Sequence, residues 1–177
     1  PRSQAANILQ ILYEWSYGLN SIQIKTTENF IAEPAIIEKV EVAFEKLLQH
    51  YPIQYIVGEA WFYKRKFKVS PAVLIPRPET EELVELIVKK LNNKPNLQLL
   101  DVGTGSGCLA ISLQKELNQA IVSAIDISAA ALMIAKENAG DLKATIHFKE
   151  TNFLNEIEWE SLGGFDILVS NPPYIPQ

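Results

Sequence analysis

The sequence has little of several things. It contains one cysteine, one methionine and two histidines in 177 residues. The lone cysteine, Cys108, excludes an intrachain disulfide and fits a reducing, cytoplasmic setting. No uncharged apolar run reaches the roughly 18–20 residues that cross a bilayer. The start of the chain lacks the pattern of a secretory signal. Positive charge is not in excess: the formal net charge is −5, which disfavours a broad grip on nucleic acid and leaves room only for a local basic patch. No metal site, internal repeat or low-complexity stretch is expected. What is present is ordinary globular composition, 47% hydrophobic and 21% charged, in a length suited to one good core plus a small appendage. The chain starts at Pro1 without a methionine, so a trimmed N-terminus is expected.

Residues 1–58 read as a small helical domain. Ile8, Leu9, Leu12, Trp15 and Leu19 recur at helical steps within residues 5–19. Ile36, Ile37, Val40, Phe44, Leu47 and Leu48 do the same within residues 34–50, and Pro34 suits a first helical turn. The two stripes are expected to pack against each other. A hairpin and linker over residues 59–78 follow: Trp61, Phe62 and Tyr63, then Phe67 and Val69, flank a turn at Lys64-Arg65-Lys66. That basic run reads as a solvated turn in preference to a nucleic-acid contact. Pro76 and Pro78 bracket Arg77, so the segment before a helix over residues 79–91 is stiff and extended; Leu83, Ile87 and Leu91 of that helix should face inward.

From Leu97 the pattern alternates. Strands are expected at 97–102, 121–125, 144–148 and 166–169, with helices at 106–117 and 128–139. That rhythm means a parallel sheet flanked by helices, an α/β fold whose ligands sit beyond the carboxyl ends of the strands.

The first of these strands ends in Asp101-Val-Gly103-Thr104-Gly105-Ser106-Gly107. Glycines let the chain turn sharply and let a ligand approach without a Cβ in the way. The spacing is not that of a dinucleotide fold, which needs G-x-G-x-x-G, and a P-loop is excluded because no Gly-Lys-Ser/Thr follows. It resembles the acid-x-G-x-G-x-G loop of class I S-adenosylmethionine-dependent methyltransferases. Asp101 can hold a donor such as the methionine ammonium. A second acid, Asp126, ends the next strand, where a carboxylate can accept from both ribose hydroxyls. Asn152 and Phe153 follow the third strand as an adenine pocket, with a turn residue and a core phenylalanine as the alternative. Cys108 reads as small and buried.

The chain ends on Asn171-Pro172-Pro173-Tyr174-Ile-Pro-Gln177, on the rim that carries the glycine loop. Neither proline donates a hydrogen bond and both fix φ. The Asn171 side-chain oxygen and the Asn171 and Pro172 carbonyls are acceptors in set directions, and Tyr174 offers a flat face. Such a corner suits methylation of a planar NH2 nitrogen, whose hydrogens it can hold while the nitrogen is aimed.

Together these stretches resemble the HemK/PrmC family, the glutamine-N5 methyltransferases of peptide chain release factors. The resemblance rests on Pro52-Ile-Gln54-Tyr55-Ile-Val-Gly58, on Val73-Leu-Ile-Pro76-Arg77-Pro78-Glu79-Thr80-Glu81, on the glycine loop, on Asp126 and on Asn171 to Tyr174. It runs from Pro52 to the end. It implies a Rossmann-like sheet, S-adenosylmethionine as cofactor, and a release factor as protein partner engaged with help from the N-terminal helices. It also implies cofactor contacts from residues 103–107, Asp126, Phe153 and Asn171, with Asn171, Pro172, Pro173 and Tyr174 holding the glutamine of a Gly-Gly-Gln loop. Asn152 stands where the family has an aspartate. The family's sheet continues past this corner, so residues 79–177 are expected to be a partial methyltransferase domain, inactive alone, with its last strand at an unpaired edge. Competing readings are a ribosomal-protein glutamine methyltransferase, an adenine-N6 methyltransferase of nucleic acid, and a cofactor-binding but inert fragment.

Overall fold

The computed structural model describes residues 2–19, 22–23, 33–91 and 94–172. They form two compact units that divide between Gly58 and Glu59.

The first unit is helical. Helix α1 spans Arg2–Tyr17, α2 Pro34–Leu48 and α3 Ile53–Val57. Pro34 occupies the first turn of α2, where its missing N–H leaves nothing unsatisfied. Gly58 closes α3 in the left-handed conformation, φ 76°, the usual helix stop. Leu12, Ala43 and Ile53 form the buried centre, with Ile8, Trp15 and Leu47 packed around it. Lys39 ties the two long helices: its ammonium donates to the Trp15 carbonyl at 3.0 Å and lies 3.9 Å from the Trp15 ring centroid. The expected stripe-on-stripe packing is only partly realised. Leu9, Ile37 and Phe44 stay open and line an apolar groove of about 370 Å3 between α1 and α2.

The second unit begins with a hairpin, β1 (Glu59–Phe62) and β2 (Arg65–Lys68). Its turn is Tyr63-Lys64, not the whole basic run. Both residues have positive φ, 44° and 64°, the geometry that matches a two-residue turn to the strand twist. Arg65 and Lys66 therefore lie in β2. Phe62 and Phe67 are fully buried in the core of this unit, so the hairpin belongs to it.

Helix α4 (Pro78–Leu91) follows. It buries Thr80, Val84 and Ile87; Leu83 and Leu91 pack at the edge of the core. Next come β3 (Gln98–Val102), α5 (Cys108–Glu116), β4 (Ile121–Asp126), α6 (Ala129–Asp141), β5 (Ile146–Glu150), a 3-10 turn (Glu156–Ser161) and β6 (Ile167–Ser170). The four strands are parallel in the order β5-β4-β3-β6. The expected strand at 144–148 sits two residues later. Ala144 is used to close α6: its N–H donates to the Ala139 carbonyl, and Lys143 before it turns through φ 52°. The 3-10 turn lies between the third and fourth expected strands, and its start is capped by the Asn155 side chain, which accepts from the Ile157 N–H. Strand β3 is central, and its carboxyl end meets those of β4 and β6. That junction positions the site.

Candidate functional site

Leu99, Leu100 and Asp101 of β3 are all buried. Two of them are anchored by the hydrophobic effect; the third is an acid with no salt-bridge partner among the described residues. Asp101 accepts from the Thr104 hydroxyl at 2.6 Å. Burial pushes its carboxyl up to about 6, against the pull of the Thr104 hydroxyl and the Ala110 N–H, and the nearby Asp126 carboxylate adds to the rise. A buried acid held this way favours a cationic neighbour.

The loop after β3 is pinned to β4. The N–H groups of Gly103 and Thr104 both donate to the Ile125 carbonyl. Gly105 N–H donates to one Asp126 oxygen at 2.9 Å and Ser128 N–H to the other at 2.9 Å. Asp126 thus ties the glycine loop to the start of α6. A carboxylate has about four lone-pair sites, so each oxygen keeps a place for one more donor. At Gly105, φ is +56° and nothing lies within 4 Å of an added Cβ, so the missing side chain leaves open space. Gly107 is different. A Cβ there would meet the Ile111 methyl at 3.1 Å and Ala135 at 3.2 Å, so this glycine lets α5 approach α6. Of the expected ligand contacts in the loop, Gly107 is the one that serves packing.

A cleft over this loop is lined by Asp101, Gly103, Thr104, Gly105 and Ser106 from one side, and by Arg77, Thr80 and Asn171 from the other. The buried Ser106 hydroxyl stands beside the Cys108 thiol. Asn171 follows β6, which pairs with β3 so that Ser170 lies beside Val102. Its amide nitrogen donates to the Thr80 hydroxyl at 2.8 Å. Its amide oxygen accepts nothing among the described residues. Pro172 is exposed; Pro173 and Tyr174 lie outside the described residues.

Asn152 and Phe153 do not line this cleft. Thr151 N–H donates to the Asp126 carbonyl, which keeps their segment on the same rim. The Asn152 side-chain oxygen accepts from Leu154 N–H, and the Phe153 ring stacks on Trp159 at 5.4 Å. Cys108 is half-buried at the cleft, and burial pushes its thiol up to about 12. Two residues of the basic run are paired, Arg65 with Glu116 and Lys66 with Glu59, and Lys68 beyond it pairs with Glu137 and Asp141. Among the described residues no cluster of metal-binding side chains occurs, and no helix is long and apolar enough to cross a membrane.

The family model described as "Methyltransferase small domain" matches residues 79–177. The chain belongs to the methyltransferase small domain family. A release factor glutamine methyltransferase of Flavobacterium psychrophilum is 50% identical over 169 residues, covering 93% of this chain and 58% of that protein. One of Bacteroides thetaiotaomicron is 44% identical over 160 residues, covering 90% and 56%. The chain thus spans about half the length of the curated relatives it matches. Among solved structures, a 16S rRNA N2 G1207 methyltransferase of T. thermophilus superposes with TM-score 0.54 at 21% identity, over 66% of this chain and 32% of that one. That likeness shows the shared Rossmann-like fold.

Within this methyltransferase small domain, two of the buried polar residues that sequence reasoning passes over make contacts that shape the site. One is Thr80. The other is Asn138 on α6, whose amide oxygen accepts from Lys68 N–H at 2.7 Å while its nitrogen donates to the Lys68 carbonyl at 3.0 Å and the Ser106 carbonyl at 2.9 Å. Asn138 therefore fastens the hairpin, the glycine loop and α6 at one point. The sequence signal was a polar residue amid the alanines Ala135 and Ala139 of a buried helix face.

Proposed function

We propose that the chain is the donor-binding part, with its N-terminal helices, of an S-adenosylmethionine-dependent enzyme that methylates N5 of the glutamine in the Gly-Gly-Gln motif of peptide chain release factors, in the cytoplasm. The observation that carries this reading is Asn171: its amide nitrogen is engaged by Thr80 and its oxygen is left as an acceptor at the mouth of the glycine-loop cleft. The 44–50% identity to release factor glutamine methyltransferases supports the substrate class.

The residues present fit the cofactor. Open space at Gly105 and the two oxygens of Asp126, each with a free acceptor site, suit an adenosine group with an amino-acid arm. Asp101 gains most: an ammonium beside it converts a reluctant buried acid into a paired carboxylate. When bound, S-adenosylmethionine supplies an electrophilic sulfonium methyl group. The chain does the rest by placement. Carboxamide nitrogen is a poor nucleophile because its lone pair is delocalised. The Asn171 oxygen, with the Asn171 and Pro172 carbonyls, accepts the hydrogens of the substrate NH2 and turns its nitrogen toward the donor. Orientation of this kind is worth roughly 7–11 kcal/mol when reacting atoms stand about 3–3.5 Å apart; the one proton that the nitrogen gives up on taking the methyl group would pass from these acceptors to water. In this reading Pro173 and Tyr174 serve with Asn171 and Pro172 in binding the glutamine, residues 79–177 carry the donor site, and residues 1–58 engage the release factor.

The test offers the full-length enzyme methyl-labelled S-adenosylmethionine with a release factor, a ribosomal protein and an adenine-containing duplex. Label should enter the release factor and be absent when its Gly-Gly-Gln glutamine is alanine. Salt-sensitive labelling of the duplex would overturn the reading in favour of an adenine enzyme; labelling of the ribosomal protein alone would move it to that substrate.

A further inference from the structure

The proline-bracketed segment before α4 has no role in binding or chemistry so far, although it is among the most distinctive stretches of the sequence. Its Thr80 is a hydroxyl in the first turns of α4 that is 7% exposed. Its backbone N–H closes the local turn by donating to the Arg77 carbonyl. Its side chain reaches 91 positions along the chain to accept from the Asn171 amide nitrogen at 2.8 Å. Both residues line the cleft over the glycine loop.

An asparagine amide has two ends of nearly the same shape and opposite hydrogen-bonding sense. At an acceptor corner only one way round works. With the nitrogen facing the substrate, the NH2 group to be methylated meets another donor. We infer that Thr80 is a positioning residue: its hydroxyl anchors one end of the Asn171 amide, so that the other end stands at the cleft, and in the arrangement seen that end is the oxygen, facing the incoming substrate NH2. The stiffness of Pro76-Arg77-Pro78 then acquires a purpose, because it sets where Thr80 stands. Thr80 acts through Asn171 and touches neither the methyl donor nor the reacting nitrogen. This inference rests on the methyl-acceptor site proposed above.

The experiment uses the full-length enzyme with Thr80→Val, Thr80→Ser, Asn171→Ala and the Thr80→Val/Asn171→Ala pair. Valine keeps the shape of threonine and removes the hydroxyl. Thr80→Val should lower kcat by about 10- to 100-fold, as expected for loss of a hydrogen bond that fixes a reacting geometry, while cofactor affinity by calorimetry stays within about twofold. Thr80→Ser should restore most of kcat. In the Asn171→Ala background Thr80→Val should cost nothing further, since its only route is gone. Normal kcat in Thr80→Val, an equal fall in kcat and cofactor affinity, or additive losses in the pair would overturn the inference. A measurement on the unaltered enzyme stands independent of substrate and of variant folding. In its amide NMR spectrum the Asn171 side-chain protons should show a through-space contact to the Thr80 methyl and slowed exchange. Absence of that contact would also overturn it. If the unaltered enzyme leaves release factors unlabelled, the proposed function fails, whereas normal labelling with full kcat in Thr80→Val would overturn the inference alone; the NMR contact reports separately whether Thr80 holds the Asn171 amide.

Discussion

Replacing Asp101 by asparagine should make the ligand-free protein more stable and the cofactor weaker at once. The reason is the burial of a carboxyl with no cationic partner. Its rise from 3.8 to about 6 corresponds to about 3 kcal/mol of unfavourable ionisation at neutral pH. The folded state holds the extra proton between roughly pH 4 and 6, so stability of the free protein should fall as pH rises through that window and level off above it. Asparagine has no charge to desolvate and fits the same neighbours. Its oxygen can take the Ala110 N–H, and its nitrogen can donate to the Thr104 hydroxyl, which simply rotates. A gain of about 2–3 kcal/mol at pH 7 translates to roughly 4–12 °C in Tm for a chain of this size, and it should vanish below about pH 4. Cofactor affinity should fall about 10- to 100-fold, the worth of a hydrogen bond to a charged group. Thermal melts from pH 4 to 8 and calorimetric titration of S-adenosylmethionine check both halves. An unchanged or lowered Tm at pH 7, together with intact affinity, would refute the assignment of Asp101 as the acid waiting for an ammonium.

Gly105→Ala and Gly107→Ala should separate by observable: the first, facing open space, should cost about 1–2 kcal/mol of backbone strain yet abolish cofactor binding by calorimetry, whereas the second adds a clash with Ile111 and Ala135 and should lower denaturant stability by more. Asp126→Ala should weaken the cofactor by about 1–3 kcal/mol; unchanged affinity would remove Asp126 from the ribose site. Asn138→Ala leaves Lys68 N–H and two carbonyls without their partner and should cost about 2–4 kcal/mol, read by urea unfolding, with hydrogen exchange rising at Lys68. Asn171→Ala should cut turnover far more than cofactor affinity, and equal losses would make the corner merely structural.

Much was legible along the chain itself because its causes are local. A strand running into alternate glycines can only turn, and the acid two residues before the first of them is carried inward with the strand. The alternation of strand and helix dictates a parallel sheet, which brings Asp101, Asp126 and Asn171 to one rim whatever the details. Element ends were less legible: Ala144 reads as strand by type but is spent on closing α6, and Tyr63-Lys64 forms a turn that neither residue type advertises. What only the tertiary structure decided are contacts between distant residues. Thr80 and Asn171 are 91 positions apart, and Lys68 and Asn138 are 70 apart; no periodicity links them. Gly107 shares a spacing with Gly105, and only the approach of Ala135 shows that one faces open space and the other a helix. The pKa of Asp101 belongs to the same class. Its identity as an acid is written in the sequence, but its reluctance to ionise comes from the hydrophobic strands and helix packed around it, which exist only once the sheet has assembled.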